Sequence, residues 1–193
     1  AEQFALVEFV VTNDLSRSIT ICPRSISGIM INGGRANMIF DQHNVGCIIS
    51  YYLNSMYYRA LSACLLELIE ILKSQGKFQD TVIDVGGEFN RNPRNNGSGA
   101  DHGSAGGSMA LYTGMLNSPM VLGNIYRDRG GNYSGTWGQG APISQYGIPL
   151  DIGHWGSTIA TLLGVPSPVT ARPSIVSVNG NTITSNIEQA KQV

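Results

Sequence analysis

The sequence predicts a mixed α/β fold, on three observations. Residues 50–74 carry apolar side chains at three- and four-residue steps, the stripe of a core-facing helix. A short apolar run, Thr81–Val85, follows a brief loop and reads as a buried strand. That strand breaks at Gly86-Gly87 into a long polar loop rich in Gly and Asn. Helix, short loop, strand and polar loop in this order is the grammar of α/β proteins. In open sheets of that class, sites are built at the carboxyl ends of strands.

The elements are justified in chain order as follows. Residues 4–11 (FALVEFVV) are apolar but too short for periodicity to separate strand from helix. Ile19–Cys22 reads as a strand closed by Pro23, and Ile26–Ile31 as another, stopped by the Asn32-Gly33-Gly34 turn. Asn37–Phe40 leads into Asp41-Gln42-His43, where alternation on an extended backbone puts Asp41 and His43 on one side. In the long helix Tyr58, Leu61, Leu65, Leu68, Ile69 and Leu72 form the inward stripe, and Gly76 supplies the stop. Beyond the central loop, Ser108–Tyr112 and Met120–Leu122 are strand-like, and residues 128–147 form a Gly-rich rim. Asp151–Leu163 is a second helix ended by Gly164 and Pro166. A terminal hairpin pairs Ser174–Val178 with Asn181–Ser185 about an Asn179-Gly180 turn. Tyr51, Tyr52, Tyr57 and Tyr58, at helical spacing, read as packing rather than as a stacking platform.

Composition narrows the function. With 193 residues and 42% hydrophobic content, the chain can bury one sizeable core. Charged residues make up 13%, about half the usual share, while Gly reaches 24 residues; exported proteins share this profile. A net charge of −1 with no basic run excludes a nucleic-acid footprint. No apolar stretch reaches spanning length. The first residues lack the basic segment of a signal peptide and read as a mature or processed start. Cys22, Cys47 and Cys64 have no paired spacing for a zinc ribbon; Cys47 and Cys64 read as buried thiols, with one disulfide plus a free thiol as the alternative. Asn96-Gly97-Ser98 and Asn132-Tyr133-Ser134 match the glycosylation acceptor pattern.

The candidate chemistry gathers around histidine. The chain has 3 histidines, His43, His102 and His154, each near an aspartate: Asp41, Asp101 and Asp151. Each lies in a polar turn or helix start rather than on an apolar face. Imidazole with carboxylate suits zinc, manganese or iron, one ion or two. Two such ions would clamp a phosphoryl or sulfuryl group. Glu88 then reads as a ligand or base, and Arg91 as a clamp for a tetrahedral anion; the bland alternative makes them a solvated acid and its ion-pair partner. Asp84, inside its strand, is costly to bury unpaired and receives no role.

FDQH (40–43), TVIDVGGEFNR (81–91) and GSGADHG (97–103), with DIGHWGSTIATLLGV (151–165) closing, resemble the DUF1501 family. That family carries FDTH-like, SEFGR-like and DHG motifs in this order. The resemblance covers residues 28–168, and the pairing of EFNR with a downstream DHG is its most specific element. It implies an alkaline-phosphatase-like or sulfatase-like doubly wound sheet with a two-metal site. Residues 1–168 would be the C-terminal part of that domain, and 169–193 its terminal hairpin and tail. Asp41 and His43 would hold the first metal, Asp101 and His102 the second, with His154 returning to the first. A second mapping puts Glu88 in the place of the strand-end aspartate, with His102 completing the first metal. The sequence departs from the pattern in its tighter Asp-x-His spacing and in EFNR for EFGR. The superfamily's nucleophile lies in an N-terminal half for which these residues leave no room. The implied function is a metal-dependent hydrolase of small phosphate or sulfate esters, exported to the periplasm or beyond and associated with an N-terminal half or another chain. The nucleophile would come from that partner, or be water activated by the metal. The alternative is a non-catalytic exported structural or binding protein that keeps the fold.

Overall fold

The computed structural model describes every residue except 23–24, 40–42, 44, 88–90, 95, 103–107, 124, 127–138, 141–147, 149 and 189–193. In chain order it forms α1 (Glu2–Thr12), β1 (Ser25–Ile31), β2 (Gly34–Ile39), α2 (Cys47–Ser74), a single 3-10 turn at Phe78–Asp80, β3 (Ile83–Val85), β4 (Arg91–Pro93) and β5 (Ala100–His102). There follow β6 (Ala110–Tyr112), β7 (Ile125–Tyr126), β8 (Gln139–Gly140), α3 (Ile152–Leu162), β9 (Val176–Asn179) and β10 (Thr182–Ser185). The class is mixed α and β. The sheets among the described residues are two-stranded, and β1–β2, β3–β6, β7–β8 and β9–β10 pair antiparallel. The doubly wound sheet that the resemblance implies is not among them.

The chain divides into two compact units, residues 1–77 with 96–100, and residues 78–95 with 101–193.

In the first unit, the ambiguous run near the start is helix α1. Its eleven residues bury no side chain; Leu6 and Phe9 are exposed. Ile19–Cys22, expected as a strand, has no regular secondary structure. The Asn32-Gly33 turn forms as read: both residues have positive φ, 48° and 79°, and Ile31 faces Gly34. That is the two-residue turn whose twist matches paired strands. Along α2 the expected stripe is buried at Leu65, Leu68 and Leu72, with Leu53 joining it. The tyrosine expectation fails in part, because Tyr51, Tyr52 and Tyr58 are 77%, 63% and 54% exposed, and Tyr58 thereby drops out of the inward stripe. Tyr57 and Tyr58 stand edge-to-face, with ring centroids 5.6 Å apart. Cys22 is an exposed free thiol and Cys64 a half-buried one.

Helix ends follow one chemistry. At α2, Gly76 takes φ +69°; its N–H reaches the Lys73 carbonyl at 3.0 Å and the Lys77 N–H reaches the Leu72 carbonyl at 2.8 Å. The α3 end repeats this with Gly164 at φ +66°, bonding Thr161, and Val165 bonding Ala160. These are Schellman closures, which satisfy carbonyls that a helix end leaves open. At α1 the left-handed position falls to Asp14, φ 54°, and a distant side chain helps. Lys77 Nζ donates to the Val11 and Thr12 carbonyls at 3.0 and 3.1 Å and pairs with Asp14 at 2.7 Å.

In the second unit, β3 pairs with β6 in the register Ile83–Tyr112, Asp84–Leu111 and Val85–Ala110. The strand is shorter and less buried than its sequence suggests, with Asp84 exposed between two half-buried neighbours. After β6, Gly114 passes so close to the 78–80 turn that a Cβ would stand 2.9 Å from backbone atoms of Phe78 and Gln79. Its own N–H bonds the Phe78 carbonyl at 3.0 Å. The core joins Leu162 of α3 to Ile175, Val176, Ile183 and Ile187 of the terminal hairpin and its flanks, with Val82, Leu111 and Met120 against it. The hairpin turns at Gly180-Asn181, one residue later than read, with Asn179 facing Thr182 and Gly180 at φ +60°. It is thus a principal part of this unit's core.

Candidate functional site

The N-terminal turn of α3 assembles the most densely connected polar cluster among the described residues. Asp151 is the N-cap: its Oδ1 accepts the N–H of Gly153 at 2.9 Å and of His154 at 3.2 Å. Aspartate suits this place because it satisfies donors that the first turn cannot pair and meets the positive end of the helix dipole. His154 closes the box from the other side, its ring 1% exposed. Its Nδ1 lies 3.0 Å from Asp151 Oδ1 and 3.2 Å from the Asp151 nitrogen. When Nδ1 carries the proton it donates to the carboxylate; when it does not, it accepts the backbone N–H.

Arg172 arrives from the loop before the hairpin and donates from Nε to Asp151 Oδ2 at 2.6 Å. Burial alone would raise the Asp151 pKa; the Arg172 bond, the His154 N–H and nearby positive charge outweigh it and hold the carboxyl below its ordinary range. The loop carrying Arg172 is itself tied down. Buried Ser157 bonds Ser167 Oγ and the carbonyls of Val169 and Arg172. Thr158 Oγ1 donates to the His154 carbonyl at 2.7 Å and accepts the Ile175 N–H at 3.2 Å. The small hydroxyl residues of STIATLL thus bind the helix to the segment that holds Asp151.

A second contact joins this turn to β3. Trp155 Nε1 donates to Asp84 Oδ1 at 3.2 Å, on the exposed side of the strand. Burial raises the Asp84 pKa, and the indole N–H partly offsets it. Trp155→Phe removes the donor, and the Asp84 pKa is expected to rise further, read by carboxyl NMR titration. Because folding disfavours the charged form of a carboxyl with a raised native pKa, the variant's deficit grows as pH climbs through that value and vanishes below it. An unmoved titration would mean that the indole does not stabilise the anion.

The residues expected to carry chemistry fall out as follows. Asp41 and Glu88 lie outside the described residues. Arg91 is on β4 and His102 on β5, where the backbone alone is described. His43 occupies a half-buried turn ahead of α2, in the first unit. Asp101 is exposed on β5 and takes Nε and Nη2 of Arg94 on Oδ1 at 3.0 and 2.8 Å. His154 is placed as above. Among the described residues, no three His, Cys, Asp or Glu side chains gather where they could hold a metal. The donor chemistry is right for zinc, manganese or iron, but the described ligands come as the Asp151–His154 pair and an arginine-bound Asp101. They do not by themselves make a site. Sequence reasoning missed Arg172 and the contact of Trp155 with Asp84. Asp151-x-x-His154 had the spacing of a capping box and was legible as one; nothing local pointed from residue 172 to residue 151.

Helical capping chemistry, paired short strands and an acid–imidazole pair at the α3 turn characterise a mixed α/β protein. The family model described as "Protein of unknown function (DUF1501)" matches residues 27–130. The chain belongs to the DUF1501 family. No curated protein and no solved structure matches it. Among the described residues, no helix is long and apolar enough to cross a membrane.

Proposed function

We propose that the chain contributes most of a metal-dependent hydrolase site for small phosphate or sulfate esters, within the C-terminal part of an alkaline-phosphatase-like or sulfatase-like domain of an exported protein. The observation that carries this reading is the Asp151–His154 pair, a buried imidazole with a carboxylate 3.0 Å from Nδ1. Imidazoles that hold metals characteristically give their other ring nitrogen to a carboxylate, which fixes the tautomer and raises ligand basicity. His154 would bind through Nε2, and Asp41, His43, Asp101 and His102 would complete the ligand set. One or two divalent ions would supply Lewis acidity at the ester. Arg91 would steady the anion and Glu88 move a proton, while an associated N-terminal half or second chain brings the nucleophile. The 13% charged composition supports export.

A second reading has its own observation. Arg94 holds Asp101, as it would in a non-catalytic structural or binding protein of the same fold. Elemental analysis of the native chain beside His102→Ala separates the two. Near-stoichiometric zinc, manganese or iron that falls in the variant favours the hydrolase and directs the screen to phosphate and sulfate esters. No metal in either sample moves the reading to the non-catalytic protein.

A further inference from the structure

The chain contains the pair Asn-Gly at Asn32-Gly33, Asn96-Gly97 and Asn179-Gly180. This pair is chemically distinctive because glycine leaves the following backbone nitrogen unshielded by a Cβ. That nitrogen can attack the asparagine amide carbon. The structure separates the three pairs by their surroundings. Asn32 is pinned in the two-residue turn of β1–β2, between the facing residues Ile31 and Gly34. Asn179 is a ladder residue of β9, opposite Thr182. All three asparagines are exposed and each precedes a glycine at positive φ, but Asn96 lies in the longer loop between β4 and β5, in neither a strand nor a two-residue turn. Its Oδ1 accepts the Ser98 N–H at 3.0 Å. That bond closes a ring over the Asn96–Gly97 peptide and draws electron density from the side-chain carbonyl, leaving Cγ more electrophilic.

We propose that Asn96-Gly97 is a built-in modification site, at which the chain converts its own asparagine to aspartate or isoaspartate with water as the only co-reactant. Gly97 nitrogen gives its proton to solvent base and attacks Asn96 Cγ. The new C–N bond forms as Nδ2 leaves as ammonia, closing a five-membered succinimide. Water then opens either carbonyl of the ring, so one water is consumed for each ammonia released and nothing is oxidised or reduced. The product adds a carboxylate to the loop between Arg94 and Asp101 in sequence, and the isoaspartate form adds a methylene to its backbone. The same residue heads the Asn96-Gly97-Ser98 acceptor motif, which the reaction destroys.

The test uses the full chain, incubated in mildly alkaline buffer and followed by peptide mass spectrometry with isoaspartate detection. The amide-to-acid mass gain is expected on the peptide carrying residue 96 at least about tenfold faster than at residues 32 and 179, since a tight-turn or ladder position must first open. In concentrated urea the three rates should converge, because the protection is structural. Equal or faster conversion at Asn32 or Asn179 in the native chain overturns the proposal. So does a preference for Asn96 that persists undiminished in urea.

Discussion

Deletion of residues 174–193 is expected to unfold the unit that carries His154. Four of the five buried side chains in its apolar cluster, Ile175, Val176, Ile183 and Ile187, leave with that segment, and Leu162 stays behind. Each buried aliphatic side chain is worth about 1.5–3 kcal/mol, so the four represent roughly 6–12 kcal/mol of gross burial. A whole domain retains a net stability of only about 5–15 kcal/mol. The deletion also removes the backbone N–H of Ile175 from Thr158 Oγ1, opening the link between α3 and the chain beyond it. Hydrogen exchange at the amides of residues 156–162 is the direct readout. Protection that survives the deletion would mean that α3 is held by something other than the hairpin.

Asp151→Ala should be the most damaging single change at the α3 turn. It removes an N-cap, worth about 0.5–2 kcal/mol. It also takes the carboxylate from a buried imidazole, at about 1–3 kcal/mol for a polar group left short of a partner. The exposed half of the network adds little, since Arg172 and Asp151 are 37% and 42% exposed. A loss of about 1.5–5 kcal/mol in denaturant melts is therefore expected from these two contributions. Asp151→Ser restores the cap alone and should recover about 1 kcal/mol of it. Full recovery with serine would show that the carboxylate contributes nothing to His154; no recovery would remove capping from the account.

Much of the local structure was legible because its causes are local. Gly76 and Gly164 end helices where the sequence said they would, since only a residue at ease with positive φ completes a Schellman closure. Asn32-Gly33 turned two strands for the same reason. Ile19–Cys22 misled because apolar, β-branched residues satisfy strand propensity without a pairing partner, and none of these four is paired. The division into two units had no linker signature to announce it, because the first unit borrows residues 96–100 from far along the chain. At the site, Asp151 and His154 were visible as a pair, being three residues apart. Trp155 and Asp84 are 71 positions apart and Arg172 and Asp151 are 21, so their contacts come from packing and left no mark in the local pattern.

The lysine that closes the first helix has a bearing on how the chain is made. Lys77 binds the end of α1 from 63 to 66 positions downstream. An eleven-residue helix without a side-chain N-cap or a buried face is marginal alone. During synthesis at about 5–20 residues per second, several seconds pass between the emergence of α1 and that of its clasp. Over that interval the segment FALVEFVV travels as an unlatched apolar stretch, the sort of sequence that ribosome-associated chaperones hold.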